Sequence, residues 1–136
     1  MINMKRLIIY TDGAATPNPG PAAIGVVILD ETGKVVSEIS RAIGRATNNR
    51  AEYLALIAGL TEALRLGADH IDINMDSELI VRQLEGKYRS KELKPLFQQT
   101  LQLLGEFKNY SVKHIPRERN EAADALSHQA LHRAGN

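Results

Sequence analysis

Three apolar runs near the start of the chain leave few architectures open. Residues 6–11 and Ala22 to Leu29 read as strands, and Lys34 to about Ala42 returns after the turn Asp30-Glu31-Thr32-Gly33, which makes a hairpin. Beyond it the period changes. Thr47-Asn48-Asn49 supplies cap residues for a helix to about Leu66, with Gly67 placed to end it, and residues 70–75 form a fourth strand. Ser77 caps a short helix to about Glu85, stopped by Gly86. A further helix is expected from about Ser90 to Lys108, with Pro95 tolerated near its start. Tyr110 to Ile115 is a fifth strand broken by Pro116, and Asn120 caps a last helix. The order β-β-β-α-β-α-α-β-α predicts an α/β fold on a mixed five-stranded sheet. Its first, fourth and fifth strands should be parallel and joined by right-handed crossovers.

Size and composition narrow the class. A chain of 136 residues supports one core, so residues 1–136 are expected to form a single domain. Hydrophobic residues make up 43% with no polar tract between them, which excludes a disordered chain. The absence of cysteine excludes disulfides, thiolate metal sites and a thiol nucleophile. No apolar run reaches the ~20 residues of a membrane span, and no signal segment follows Met1, so a soluble cytoplasmic domain is expected. Net charge is only +1. If several acids gather in one site, however, the remaining surface is basic, with Arg41, Arg45, Arg50, Lys87, Arg89, Lys91 and Lys94 as candidates to follow a phosphate backbone.

Four acids stand where this topology ends its buried elements. Asp12 ends the first strand, Asp76 ends the fourth, Glu52 opens the long helix and Asp124 lies in the first turn of the last. Each has an ordinary reading when taken alone. Asp-Gly is common turn chemistry, Asp76 suits a helix cap, and Asp124 suits the positive end of a helix. Glu52 is the hardest to leave on a surface, because Ala51 to Leu60 is otherwise uncharged and overwhelmingly apolar. The topology sends all four to one end of the sheet, where ligands of parallel strands collect. Desolvation and mutual repulsion oppose such a gathering unless a cation compensates. An oxygen-only set favours Mg²⁺ or Mn²⁺, and paired ions of this kind serve phosphoryl chemistry.

Five stretches now carry a resemblance. Tyr10-Thr11-Asp12-Gly13-Ala14-Ala15, Asn18-Pro19-Gly20-Pro21, Thr47-Asn48-Asn49-Arg50-Ala51-Glu52, Asp76-Ser77 and Asn120-Glu121-Ala122-Ala123-Asp124 resemble type 1 ribonuclease H, in order and across almost the whole chain. The Thr-Asn-Asn-Arg-x-Glu block is the specific one. The resemblance implies a ribonuclease H-like fold, with three antiparallel strands followed by parallel strands and helices flanking the sheet. It implies a metal-dependent endoribonuclease that hydrolyses the RNA strand of RNA–DNA hybrids, leaving 5′-phosphate and 3′-hydroxyl ends. Duplex RNA is a second candidate substrate.

Catalysis would then fall to Asp12, Glu52, Asp76 and Asp124, which would hold two Mg²⁺ (or Mn²⁺) ions. Asp12 would bridge them, with Asp124 serving the one that activates water and Glu52 and Asp76 the other. Recognition of RNA depends on its 2′-hydroxyl in a wide minor groove. Gly13, Asn18, Gly20, Asn48 and Asn49 are the expected groove contacts, with Thr47 and Ser77 near phosphate. Neither a membrane nor an oligomer is required.

Two stretches depart from the family pattern. Longer members carry a basic handle rich in Lys and Trp; here Lys87, Tyr88 and Arg89 lie in a short segment, and the chain has no Trp. Many members also carry a Gly-His pair in the loop after the last strand. Here either His114 or Arg117 is the auxiliary candidate, and an arginine can attract phosphate without serving as a base.

Overall fold

The computed structural model describes residues 5–86 and 90–134. Strands β1 (Arg6–Ala15), β2 (Gly20–Leu29) and β3 (Val35–Ala46) lead into helix α1 (Asn48–Arg65) and strand β4 (His70–Met75). Helices α2 (Glu78–Leu84) and α3 (Lys94–Leu104), strand β5 (Asn109–His114), a 3-10 turn (Arg117–Arg119) and helix α4 (Glu121–Ala134) complete the chain. The five strands form one sheet in the order β3-β2-β1-β4-β5. β1, β4 and β5 are mutually parallel, and β2 is antiparallel to both of its neighbours, as the order of elements predicts.

The first three strands run further than expected. β1 continues through Asp12 to Ala15 because β2 pairs with it as far as Ala15↔Ala22, across residues that sequence alone suggests are a loop. Asp12 is therefore a mid-strand residue. Helix α3 is shorter than the expected 90–108. Pro95 falls in its first turn, where its missing N–H costs least, and Gly105 follows its end.

Successive strand residues face opposite sides of the sheet. Ile9, Val26, Ile71, Ile73 and Met75 point toward α1 and meet Tyr53, Leu56 and Leu60, all fully buried. Truncating one of these leucines to alanine would cost about 2–5 kcal/mol through lost burial and the cavity left behind. Thr47 caps α1, its Oγ1 accepting from the Arg50 amide at 3.2 Å. The opposite face is covered over β2 and β3 by α4. Among the described residues no helix is long and apolar enough to cross a membrane.

Candidate active site

The strand pairings themselves place two of the acids. β1 keeps its parallel ladder with β4 only to Thr11↔Met75, but keeps its antiparallel ladder with β2 for four residues more. Asp12 and Asp76 are thus the first residues beyond the parallel ladder. Glu52 reaches them because residue 13 is glycine. A Cβ there would lie 2.3 Å from the backbone carbonyl of Ala51 and 2.5 Å from the Glu52 nitrogen. The first turns of α1 therefore rest directly on β1, and the Gly13 amide donates to Glu52 Oε1 at 2.5 Å.

A second glycine does the same on the other face. Gly25 is the register partner of Asp12, and a Cβ there would lie 2.0 Å from the Ala123 carbonyl oxygen. Helix α4 can seat only on a bare backbone, and in doing so it carries Asp124 to the same end of the sheet.

One oxygen from each of Asp12, Glu52 and Asp76 lies within 4.8 Å of the others. They line a cavity of about 520 Å³ with Gly13, Asn48, Asn49, His114, Arg117 and Asp124. Asp124 shares the cavity but stands outside the close group of three. Its Oδ1 lies 3.2 Å from His128 Nε2 and 3.8 Å from the Arg117 guanidinium.

Burial raises the Asp12 pKa to about 7, helped by the charges of Asp76 and Asp124 and opposed by a hydrogen bond from Ser127. Burial also pushes Glu52 well above its usual value, with Asp12 adding to the rise. The three close acids make no salt bridge among the described residues, Arg117 acting on Glu52 only through its field. An oxygen-only donor set, crowded and short of positive charge, fits a hard divalent cation.

The chain matches the "Reverse transcriptase-like" family model over residues 10–130. A "Ribonuclease HI" of Halobacterium salinarum is 44% identical over 93% of this chain and 64% of its own length. A "Ribonuclease H" of Syntrophus aciditrophicus is 36% identical over 96% of this chain and 83% of its own. The chain belongs to the ribonuclease H family. It spans less than two thirds of the length of the Halobacterium relative and 35% of a Mycobacterium bovis one. Among solved structures, the ribonuclease H called LC11-RNase H1, in complex with RNA/DNA hybrid, superposes with a TM-score of 0.90. It is 45% identical, covering 96% of this chain and 99% of that one.

The remaining ribonuclease H motif residues divide between two cavities. Asn48 and Asn49 line both, and the second, about 550 Å³, adds Asn18, Thr47, Ser90 and Leu93. Asn48 is braced twice: its Oδ1 accepts from the Ala15 amide at 2.8 Å, and its own amide donates to Asn18 Oδ1 at 3.0 Å. The cap of α1 is Thr47, which leaves Asn49 uncommitted to capping. Gly20 opens β2, where a Cβ would lie 2.5 Å from the Pro17 carbonyl oxygen. Ser77 caps α2 through the Ile80 amide and lines neither cavity. His114 and Arg117 both face the acidic cavity. Lys87, Tyr88 and Arg89 lie outside the described residues.

Three ribonuclease H residues escape sequence reasoning in their actual roles. Asn120 is expected to cap α4. It does stand at the cap position, its carbonyl accepting from the Asp124 amide at 3.1 Å, but its side chain turns elsewhere: Nδ2 donates to the Thr11 carbonyl at 2.9 Å and to Asp76 at 3.3 Å, tying the helix entrance to two strands. The Oδ1 that a side-chain cap would use is buried and meets no donor among the described residues. Ser127 donates to Asp12, and His128 faces Asp124. Their only sequence signal is position, three and four residues after Asp124 on one helix face.

Proposed function

We propose that the chain is a metal-dependent endoribonuclease that hydrolyses the RNA strand of RNA–DNA hybrids and leaves 5′-phosphate and 3′-hydroxyl ends. The observation that carries this reading is the convergence of Asp12, Glu52 and Asp76 to within 4.8 Å with two of them buried and Asp124 on the same cavity. Family membership supports it, as does the hybrid bound by LC11-RNase H1. Residues 1–136 then act as one catalytic domain, and every group named comes from a single copy, so no oligomer is required.

Asp12, Glu52, Asp76 and Asp124 would hold two Mg²⁺ or Mn²⁺ ions. Bound there, the ions would ease deprotonation of water and stabilise the departing 3′ oxygen. The chain's own residues do the rest. Asp12 is held rigid in mid-strand and Glu52 by the Gly13 amide, so the cavity is organised before substrate arrives. Asn48 and Asn49 line the acidic cavity and, with Asn18, the second one; with Gly20 at the start of β2 they would read 2′-hydroxyls in a minor groove. Thr47, which lines the second cavity, and Ser77, next in the chain after Asp76, would meet phosphate. Arg117 faces the cavity with a permanent charge that attracts phosphate, while His114 in the same wall can exchange a proton.

Incubation with end-labelled hybrid, duplex RNA and duplex DNA, each with Mg²⁺, with Mn²⁺ or with chelator, tests the proposal. Internal cuts in the RNA of the hybrid that vanish with chelator are expected. Cleavage that persists without metal, or hybrid left intact with it, overturns the proposal. The duplex RNA arm decides whether that second substrate is also accepted.

A further inference from the structure

Helix α4 brings a second side chain to the acids besides Asp124. Ser127 is fully buried, and its Oγ lies 2.9 Å from Asp12 Oδ2 and 2.8 Å from the backbone carbonyl of Asp124. A hydroxyl carries one proton and can serve only one of these acceptors at a time. A serine within a helix commonly donates back to the preceding turn, a bond of little consequence. Here a carboxylate competes. A charge-assisted bond in a buried place is roughly twice as strong as a neutral one, so the anionic Asp12 takes the proton.

The approach is built into the backbone. Gly25 pairs with Asp12 in register, and a Cβ at Gly25 would lie 2.7 Å from the Ser127 nitrogen. The helix therefore sits close enough for serine, the shortest hydroxyl side chain, to reach across to the neighbouring strand. The main chain of Asp12 is fixed by its ladder with β2, which leaves only the side-chain torsions free. A hydrogen bond to Oδ2 removes most of that freedom.

We propose that Ser127 is a positioning residue, holding the Asp12 carboxylate in the orientation that receives a divalent cation in the acidic cavity. This rests on the metal-dependent reading above and adds to it a residue that belongs to none of the five motif stretches. Outer hydrogen-bond partners of metal ligands orient them, and their loss typically weakens metal binding by about 10- to 100-fold.

Ser40 provides the control. Its hydroxyl donates to the Leu126 carbonyl at 2.6 Å, fastening α4 to β3 without touching an acid. Mn²⁺ binding to the full chain, measured by calorimetry without nucleic acid, is compared for the unmutated protein, Ser127→Ala and Ser40→Ala. Ser127→Ala should raise the Mn²⁺ Kd about tenfold or more. Ser40→Ala should lower the melting temperature and leave that Kd unchanged. The half-saturating Mg²⁺ for cleavage should rise in Ser127→Ala, with kcat largely recovered at saturating metal. Should Ser127→Ala not stay folded, Ser127→Cys, of similar size with a weak donor, takes its place and the same rise in Kd is expected.

An unchanged Kd in the Ser127 variant overturns the inference. So does an equal change in both variants, which would reduce Ser127 to a fastener of α4. Failure of the unmutated protein to bind Mn²⁺ overturns the metal reading itself, and this inference with it.

Discussion

Asp72 lies near the amino end of β4 and Asp12 just past the point where β1 leaves the carboxyl end of that strand, and the two ends treat acids in opposite ways. At the amino end, burial alone would raise Asp72. Hydrogen bonds from Arg6, Ser111 and His70 outweigh it and hold the carboxyl down at about 2. Arg6 Nε lies 2.6 Å away and Ser111 Oγ also 2.6 Å. At the carboxyl end, burial raises Asp12 to about 7 and pushes Glu52 up as well, and neighbouring acids add to the rise where a basic partner is missing. The first cluster is complete as it stands. The second is a set of donors without a counter-charge. An acid's environment therefore separates structural pairing from a site that calls for a ligand, where sequence composition cannot.

The largest effect expected from this contrast is catalytic. Asp12→Asn should lower hybrid cleavage by at least about a hundredfold, the scale of losing one preorganised electrostatic group, while hybrid binding and fold survive. Asp72→Asn should leave cleavage near normal. Near-normal Mg²⁺-dependent turnover by Asp12→Asn in a cleavage assay would break the contrast at its functional end.

Metal response should follow the same division. Ions that bind the folded acids relieve their repulsion, so Mn²⁺ should raise the melting temperature in a concentration-dependent way. Asp12→Asn should diminish that rise and raise the metal-free melting point. Asp72→Asn should lower the metal-free melting point and keep the rise. A thermal scan that is flat at saturating Mn²⁺ would mean the acids do not act as one site.

The third expectation concerns pH in the absence of metal, and the two clusters pull with opposite signs. A depressed acid contributes stability above its unfolded pKa and loses it as pH falls, so Asp72 and Glu62, both at about 2, favour the fold above roughly pH 4. A raised acid binds its proton more tightly when folded. Asp12 therefore makes the fold less stable as pH climbs from about 4 to about 7, and Glu52 adds a loss of the same sign above its ordinary value. Denaturant melts should show stability rising to about pH 4.5 and then declining toward neutrality, with a weaker decline in Asp12→Asn. A curve that climbs steadily to neutrality would contradict the raised pKa values.

Arg6→Ala should give the smallest effect. Its side chain is 49% exposed, and exposed pairs contribute little and weaken with salt. A slight loss of stability, smaller in high salt, is expected in the same melts, with cleavage unchanged.

Much of this was legible in the sequence. The strand directions followed from a hairpin succeeded by helical crossovers, and Glu52 declared itself as a lone acid on an apolar helix. What could not be read were features created by pairing between distant segments. The extension of β1 through Asp12 depends on where β2 runs beside it, and Asp12-Gly13 in isolation reads equally well as a turn. The bond that Asn120 makes with its side chain was hidden because the acceptor, the Thr11 carbonyl, is 109 residues away. Ser127 carries no local mark beyond its place three residues after Asp124. Its importance comes from Gly25, whose missing side chain sets how closely the helix sits.

That close seating of α4 also bears on how the molecule comes together. The bonds joining α4 to β1 span 109 and 115 residues, among the longest loops the chain can close. Contacts of such separation reward the chain only after the intervening segments are ordered. The sheet and α1 can bury their apolar faces first, whereas the acidic cavity receives its fourth carboxylate only when α4 docks. In refolding followed by two probes, burial of the sheet core should therefore precede recovery of metal binding. Maturation of the site would be a separate, later event in the life of each molecule.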